Sequence, residues 1–330
     1  MEKILRNIYR IPVPLPDNPL KEINSYFIQG PERSLLIDTG FRHPECKAAL
    51  MCGLEELGAD IACVDIFLTH VHADHTGLSS ELAAEGSRTY ISAIDGEIMK
   101  KLPLRSGEWD NEKWVWNKER ETLLGMPAEI IENLDKLNPA LKYAPLGGAE
   151  YTFLHEGDML QAGGYNFRCV LTPGHSPGHM CLWDEDNGII FTGDHVLFDI
   201  TPNITAWHGI DDSLGDYLNS LAQVRELPVK IALPGHRKPG DFHVRIDELI
   251  GHHHKRLAEV EGIVREKPGL TAYEIAGEMR WKIRAADWNS FPPSQKIFAV
   301  GECQAHLNYL ELRSVLKREK DNAVYRFYLA

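Results

Sequence analysis

A short segment around residue 70 constrains the fold more than any other part of the chain. Its sequence, THVHADHTG over 69–77, directly follows the apolar run IACVDIFL over 61–68, which is typical of a buried strand. Imidazole and carboxylate groups are good ligands for zinc, iron or manganese, and α/β folds usually place their sites on loops that follow strands. The segment therefore predicts a metal-binding loop, with His70, His72, Asp74 and His75 as candidate ligands.

The spacing within this loop suits two metal ions better than one. On an extended or tightly looped backbone His70 and His72 point to one side, while Asp74 and His75 reach a second point nearby. A cluster of ordinary surface histidines is the simpler alternative, and it is weakened because further candidate ligands occur downstream in the chain.

Three such candidates recur, each on a loop that directly follows an apolar strand. They are His175 in TPGHSPGH, Asp194 in TGD and His236 in PGH. Because loops after parallel or neighbouring strands meet at one edge of a sheet, we expect this edge to gather the downstream side chains with the loop at 69–77.

The order of predicted elements sets the fold class. Up to residue 240 strands alternate with helices, beginning with a strand pair at 24–30 and 33–40, which predicts a layered α/β architecture. After residue 240 long helices dominate until a terminal strand at 324–329. We therefore expect a catalytic domain over 1–240 and a C-terminal domain over 241–330.

A helical insertion at about 97–150 interrupts the first domain. It carries two methionines and three tryptophans, which are Met99, Met126, Trp109, Trp114 and Trp116. An apolar segment placed after the metal loop is expected either to cover the site as an acyl-binding lid or to pack onto the body of the domain.

The combined motifs resemble those of the metallo-β-lactamase-fold hydrolases, in a branch with a C-terminal winged-helix-like domain. The resemblance is carried by HxHxDH, PGHSPGH, TGD and PGH, and by 37-IDTG-40 in the first half. It implies an α/β fold, the αββα four-layer metallo-β-lactamase sandwich, followed by a helical, winged-helix-like domain. It also implies that Asp38 supports the metal loop. One departure is Arg237, which stands where the family usually has the glycine of PGHG.

The resemblance also implies a ligand set for two divalent ions, with zinc expected and iron or manganese acceptable. The first ion would be held by His70, His72 and His175, and the second by Asp74, His75 and His236, with Asp194 bridging both. Asp74 and Asp194 would be the catalytic carboxylates of a reaction in which metal-activated water attacks the substrate.

Other histidines are weaker candidates. His179 is expected near the substrate or behind the ligands, or else as a packed loop histidine. His195 is expected on the opposite side of its strand end, and His208 is a weak candidate for the lining of a pocket. Three successive helical residues point about 100° apart, so His252, His253 and His254 are expected at a surface or interface rather than on one metal. The segment 306–310 is expected to pack in the core of the C-terminal domain.

Composition limits the compartment and the partners. The net charge of −13 argues against a large nucleic-acid footprint, and six cysteines without a CxxC pair predict reduced thiols. With neither an apparent signal peptide nor an apolar run of membrane-spanning length, we expect a cytoplasmic enzyme that does not bind membranes. A small acyl molecule is the expected partner, RNA is the alternative, and a homodimer is left open.

Four functions fit these observations to different degrees. The first is hydrolysis of a thioester, ester or lactone, and the second is phosphodiester cleavage by an endoribonuclease, for which Arg280, Lys282 and Arg284 offer a basic cluster. The third is a mononuclear-iron sulfur dioxygenase, and the fourth a DNA-binding regulator without activity. A complete set of seven ligands favours the two-metal hydrolase over the last two, and true β-lactamase activity is not expected.

Overall fold

The structure is a computed structural model that describes residues 1–83, 86–102, 118–138, 142–282 and 285–330. These residues form two compact units. The first takes in residues 1–102, 142–202 and 220–246, and the second takes in 118–138, 203–219 and 247–330. The units therefore do not divide at one point of the chain, and the domain limits at 240 and 241 stay a prediction from the sequence.

The first unit contains a seven-stranded sheet in which the strands follow one another in chain order. The first four strands pair antiparallel, and the fourth to seventh pair parallel. The strands are β1 Glu2–Leu5, β2 Ile8–Pro14, β3 Glu22–Ile28, β4 Ser34–Ile37, β5 Val64–Phe67, β6 Thr89–Ser92 and β7 Tyr151–Leu154. The predicted pair at 24–30 and 33–40 is confirmed as the β3–β4 hairpin.

A second sheet of five strands completes this unit, in the order β12–β11–β10–β9–β8. Its pairs are antiparallel except for β11 and β12, which run parallel. The strands are β8 Met159–Ala162, β9 Tyr165–Leu171, β10 Met180–Asp184, β11 Ile189–Gly193 and β12 Ile231–Pro234.

The two sheets face each other across one apolar core. Tyr26, Ile37 and Phe67 of the first sheet pack in the same cluster as Met180 and Phe191 of the second. The ring centroids of Tyr26 and Phe191 lie 5.2 Å apart in an edge-on arrangement, which is favourable for aromatic pairs. This sheet-on-sheet core confirms the predicted α/β sandwich class.

Helices lie on the outer side of the first sheet and in the loops after its strands. Helix α1 packs on β2, and a Cβ atom on its Gly53 would lie 2.6 Å from Cγ2 of Ile11. The helices of this unit are α1 Pro44–Glu56, α2 Ala73–Thr76, α3 Ser79–Ala83 and α4 Ala93–Met99. A 3₁₀ turn, Ile61–Cys63, leads into β5.

The second unit is mainly helical and ends in a two-stranded hairpin. Its elements are α5 Lys118–Leu123, α6 Ala128–Glu132, α7 Leu134–Leu137, α8 Ser213–Arg225, α9 Phe242–Glu266, α10 Ala272–Glu278, α11 Pro293–Leu312, β13 Leu316–Asp321 and β14 Val324–Leu329. Helices α8 and α9 also contribute residues to the first unit. A capping box starts α10, because Thr271 and Glu274 exchange side-chain-to-backbone hydrogen bonds. The terminal strand is confirmed, and the winged-helix assignment stays a prediction.

The predicted insertion is only partly covered by the described residues. Trp109, Trp114 and Trp116 lie outside them, and so does the lid that they would form. Met99 and Met126 are both buried, at 1% and 5% exposure. No described helix of the protein is both long and apolar enough to cross a lipid bilayer.

A buried carboxylate joins three neighbouring segments at the start of β5. Asp65 accepts hydrogen bonds from Nε of Arg33 at 3.0 Å and from Nε of Arg88 at 2.9 Å. Burial alone would raise the pKa of Asp65, but the hydrogen bonds from the two guanidinium groups outweigh it and hold that pKa below its usual value. The carboxylate therefore stabilises the fold most when it is ionised.

Asp65→Asn is expected to lower the free energy of unfolding by about 1–2 kcal/mol at pH 7, because an amide does not pair with two guanidinium groups. Since the folded-state pKa lies below the unfolded one, this contribution is present above about pH 4 and is lost as the pH falls through the folded-state value. Urea unfolding of wild type and variant at pH 7 and pH 3 measures it, with Asp186→Asn at an exposed position as the control. An equal difference at both pH values would contradict this assignment.

Candidate metal centre

The loop after β5 is held in place by the carboxylate of Asp38. Its two oxygens accept hydrogen bonds from the backbone N–H of Thr69 at 2.9 Å, the Thr69 hydroxyl at 2.8 Å and Nδ1 of His75 at 2.7 Å. Asp38 itself has a φ of +58°, a left-handed conformation that is unfavourable for most residues. These contacts agree with the predicted supporting role, and they direct Nε2 of His75 away from Asp38.

Three imidazole nitrogens converge on one point at this loop. Nε2 of His70 lies 3.0 Å from Nδ1 of His72, which lies 3.0 Å from Nε2 of His175. Burial, and then the neighbouring His75, hold the pKa of His70 well below its usual value, and burial lowers the pKa of His72 to about 3. Neutral nitrogens this close together fit a cation at their centre, where tetrahedral zinc would space them about 3.3 Å apart.

A second cluster lies beside the first. Nε2 of His236 is 3.3 Å from Oδ2 of Asp74, and Nε2 of His75 is 3.9 Å from the same oxygen. Nδ1 of His236 donates a hydrogen bond to the carbonyl of Glu22 at 2.8 Å, so its Nε2 faces the carboxylate. Within the described residues, both Nε2 atoms are buried and make no hydrogen bond of normal geometry, which fits a second bound cation.

Asp194 lies between the two clusters. Its Oδ2 is 3.6 Å from Nε2 of His175, while its Oδ1 is 3.5 Å from Nε2 of His75 and 3.6 Å from Nε2 of His236. Burial alone would raise the pKa of Asp194, but the adjacent His236 and His75 hold it far below its usual range. The carboxylate is therefore charged and reaches both clusters at once.

The structure thus brings together all seven side chains that the sequence singled out. Three overlapping groups have ligand atoms within 4.8 Å of one another: His70, His72 and His175; His70, His75 and Asp194; Asp74, His75 and His236. His72 and Asp74 are the partly exposed members, and the other five are buried. His72 and Asp74 are therefore the members of the cluster that solvent reaches.

Two residues of β3 hold the His236 loop, and sequence reasoning missed them. The side-chain amide of Asn24 donates to the carbonyls of Pro234 at 2.9 Å and Arg237 at 2.8 Å, and the Tyr26 hydroxyl donates to Pro234 at 2.9 Å. The available signal was the polar pair Asn-Ser at 24–25 inside an otherwise apolar strand. A buried amide needs partners, and here they belong to a loop far away in sequence.

Glycines permit close approach at the centre. A Cβ atom at position 235 would lie 2.7 Å from Oδ1 of Asp194 and 2.9 Å from Cε1 of His75. Gly193 has a φ of +47°, and its Cβ would lie 2.7 Å from Nε2 of His179. Arg237 also has a positive φ of +64°, which explains why glycine is usual there.

Two histidines next to the centre lie outside its three groups of candidate ligands. His179 accepts a hydrogen bond at Nε2 from the backbone N–H of Asp194 at 3.2 Å, so its Nδ1 carries the proton that faces the Thr172 hydroxyl at 2.7 Å. His179 therefore positions Asp194, which agrees with the predicted alternative that places it behind the ligands. His195 is fully buried with its ring centroid 5.8 Å from that of His179, and burial lowers its pKa to about 3.

The histidines of the second unit differ from their predicted environment at one position. His208 and His254 are exposed, but His253 is fully buried, so the prediction of a surface or interface position was wrong for it. Its Nδ1 lies 3.2 Å from Nε2 of His306, which is also buried, as expected for the segment 306–310. Of the predicted basic cluster, Arg284 lies outside the described residues.

Comparisons with known proteins agree with this geometry. A family model described as the metallo-beta-lactamase superfamily matches residues 19–236, and a second model, described as the metallo-beta-lactamase-like C-terminal domain, matches residues 289–330. The structure is similar to the crystal structure of a metallo-beta-lactamase family protein from Thermus thermophilus, with 29% identity and a TM-score of 0.83. That likeness covers 99% of this chain and 100% of the other.

Two fungal relatives are similar in sequence. The lactamase-like protein aptB of Emericella nidulans is 27% identical over 268 residues, which are 78% of this chain and 67% of that protein. The thioesterase pkgB of the same organism is 26% identical over 233 residues, which are 70% of this chain and 49% of that protein.

Proposed function

Because the chain belongs to the metallo-beta-lactamase superfamily, whose members of this kind are metal-dependent hydrolases, we propose that it uses two divalent ions to hydrolyse an acyl thioester. The observation that carries the two-ion part of the proposal is the position of Asp194. One of its oxygens faces His175, and the other faces His75 and His236. A carboxylate that reaches two sets of imidazoles is the group that a pair of cations would share.

The proposed ligand sets follow the two clusters. His70, His72 and His175 would hold the first ion, Asp74, His75 and His236 would hold the second, and Asp194 would be shared between them. Zinc suits these nitrogen and oxygen donors, as do iron and manganese. When bound, such ions supply Lewis acidity, which polarises a carbonyl and lowers the pKa of water toward neutrality.

The chain's own residues then direct the reaction. Asp38 and the carbonyl of Glu22 fix the rings of His75 and His236, and His179 fixes the backbone of Asp194. Asp74 is partly exposed, so its carboxylate is placed to accept the proton of the attacking water. In the balanced reaction, water adds to the thioester carbonyl, the C–S bond breaks, and the proton passes from Asp74 to the departing thiolate.

Two observations support a thioester over a phosphodiester. The relative pkgB is named a thioesterase, and this chain's net charge of −13 opposes the approach of a polyanion such as RNA. The oxygen ester and the lactone are the close chemical alternatives, since all three present a carbonyl to the same ions.

A substrate panel tests this proposal. Zinc-loaded protein is given acyl thioesters of N-acetylcysteamine, the matching oxygen esters and lactones, and single-stranded RNA. We expect release of free thiol, loss of that activity after chelation, and its return with zinc, at two ions per chain by elemental analysis. His254→Ala, at an exposed position in the helical unit, is expected to retain full activity.

The outcomes separate the alternatives. Zinc-dependent RNA cleavage without thiol release would replace the thioester proposal by the endoribonuclease alternative. Cleavage of oxygen esters or lactones alone would keep the two-ion hydrolase and change its substrate. A single ion in the fully active protein would contradict the two-ion site.

A further inference from the structure

A buried aspartate outside the seven proposed ligands lies against the metal centre. Asp95 is in the first turn of α4, where its backbone N–H donates to the Ser92 hydroxyl at 3.2 Å. Its side chain is fully buried. Nothing in the local sequence AIDGE marks it as functional, because an aspartate in the first turn of a helix is common for local electrostatic reasons.

The carboxylate of Asp95 connects the two loops that carry the first set of imidazoles. Oδ2 accepts the backbone N–H of Val71 at 2.9 Å and the hydroxyl of Ser176 at 2.6 Å. Oδ1 accepts the backbone N–H of Gly178 at 2.7 Å. Val71 lies between His70 and His72, and Ser176 directly follows His175. One side chain thus binds a residue adjacent to each of the three histidines.

The contact between Gly178 and Asp95 leaves no room for an additional atom. A Cβ atom at position 178 would lie 2.4 Å from the Ser92 hydroxyl oxygen and 2.8 Å from Oδ1 of Asp95. Glycine at this position therefore lets the 172–179 loop approach α4 closely enough for its N–H to reach the carboxylate. The hydrogen bonds to Asp95 thus connect the two loops directly.

Charge adds to the positional effect. Asp95 forms no ion pair with the lysines, arginines and histidines of the described chain, so its negative charge is balanced only by hydrogen-bond donors. Burial raises the pKa of Asp95 to about 6, although the hydrogen bonds from Ser176, Gly178 and Val71 oppose the rise. The group is thus mainly ionised at neutral pH, next to the loops that would hold a cation.

We propose that Asp95 is the positioning residue of the first metal site: it holds the loop of His70 and His72 against the loop of His175, and thereby sets the affinity of that site. This inference rests on the ligand assignment in the proposed function. Asp38 has the corresponding task at the second site through its hydrogen bond to His75. Each site would then have its own buried carboxylate behind its imidazoles.

The test measures zinc affinity at each site separately, without substrate. His236→Ala leaves the first site, and His72→Ala leaves the second. Adding Asp95→Asn is expected to weaken zinc binding about 10- to 100-fold in the His236→Ala background and by less than about 3-fold in the His72→Ala background. Competition with a chelating dye gives both constants. In the His236→Ala background the visible absorption of bound cobalt(II) is also expected to change, because it reports ligand geometry.

Two further variants distinguish a specific effect on zinc binding from a general loss of structure. Asp184→Asn removes another buried carboxylate, which accepts hydrogen bonds from the backbone of Asn166 and Asn187, and is expected to leave both zinc constants unchanged. If Asp95→Asn does not fold, Ser176→Ala removes one of the three hydrogen bonds and is expected to weaken the first site about 3-fold or more.

The results distinguish the role of Asp95 from the site assignment. If Asp95→Asn weakens zinc binding equally in the His236→Ala and His72→Ala backgrounds, or in neither of them, the proposed role of Asp95 is wrong. The assignment of the two sites is then unaffected. If His72→Ala and His236→Ala each leave zinc binding as in wild type, the ligand assignment is wrong, and the role of Asp95 is overturned with it.

Discussion

Asp194→Asn is expected to lower kcat/KM for the cleaved substrate by roughly 10³-fold, which corresponds to about 4 kcal/mol of lost transition-state stabilisation. Asparagine keeps the shape of the side chain but removes the charge that faces His175 with one oxygen and His75 and His236 with the other. Because both proposed ions lose the same shared ligand, bound zinc is expected to fall from two ions per chain to one or fewer.

Steady-state kinetics and elemental analysis of the same preparation measure the two effects together. Asp184→Asn is again the matched control, since its carboxylate is also buried but accepts hydrogen bonds from Asn166 and Asn187, which are not among the proposed ligands. It is expected to lower the melting temperature while keeping both ions and the activity. An Asp194→Asn protein that keeps two ions and wild-type kcat/KM would refute the proposed shared ligand.

Gly235→Ala is expected to lower kcat/KM by about 100-fold in a protein that still folds. The added Cβ would lie 2.7 Å from Oδ1 of Asp194 and 2.9 Å from Cε1 of His75, closer than non-bonded atoms normally approach. Either ligand must move by a few tenths of an ångström or more, and misplacement on that scale is costly at a catalytic centre. Zinc binding is expected to weaken at the second site, where His75 lies.

The matched control for this change is Gly262→Ala in the long helix α9. A Cβ there meets nothing within 4 Å, so alanine is expected to raise the free energy of unfolding by about 0.5–1 kcal/mol and to leave activity unchanged. Chemical unfolding and zinc titration of both variants provide the comparison. Full activity in Gly235→Ala would contradict the prediction, because the loop after β12 would then have moved to accommodate the added Cβ without displacing Asp194 or His75.

The sequence predicted the candidate ligands because their chemistry is visible in the residue types. Histidine and aspartate are residue types that bind metal ions, and here they stand directly after apolar strands. The positions of those strands follow from hydrophobic periodicity. His70 and His236 were therefore found although about half the chain separates them. Asp38 was found through its resemblance to a known motif, and the contacts to Thr69 and His75 agree with it.

The supporting residues were not predictable in the same way. Asn24 and Asp95 act on loops distant in sequence, so their partners become visible only when the strands are assembled. His253 was expected at a surface or interface because three consecutive helical residues cannot easily share one metal ion, but tertiary packing decides which side of a helix is covered. The grouping of 118–138 and 203–219 with the C-terminal helices likewise depends on packing that no local pattern reports.

The wide spacing of the seven side chains along the chain has a consequence for synthesis. The first imidazole leaves the ribosome long before the last, and β12, which carries the His236 loop, pairs with β11 near the end of the first unit. Contacts of such long range form late in folding. The proposed cation site would therefore be complete only after translation has passed residue 236. Metal loading would then be a late step, because a chain stalled before that residue has only part of the proposed ligand set.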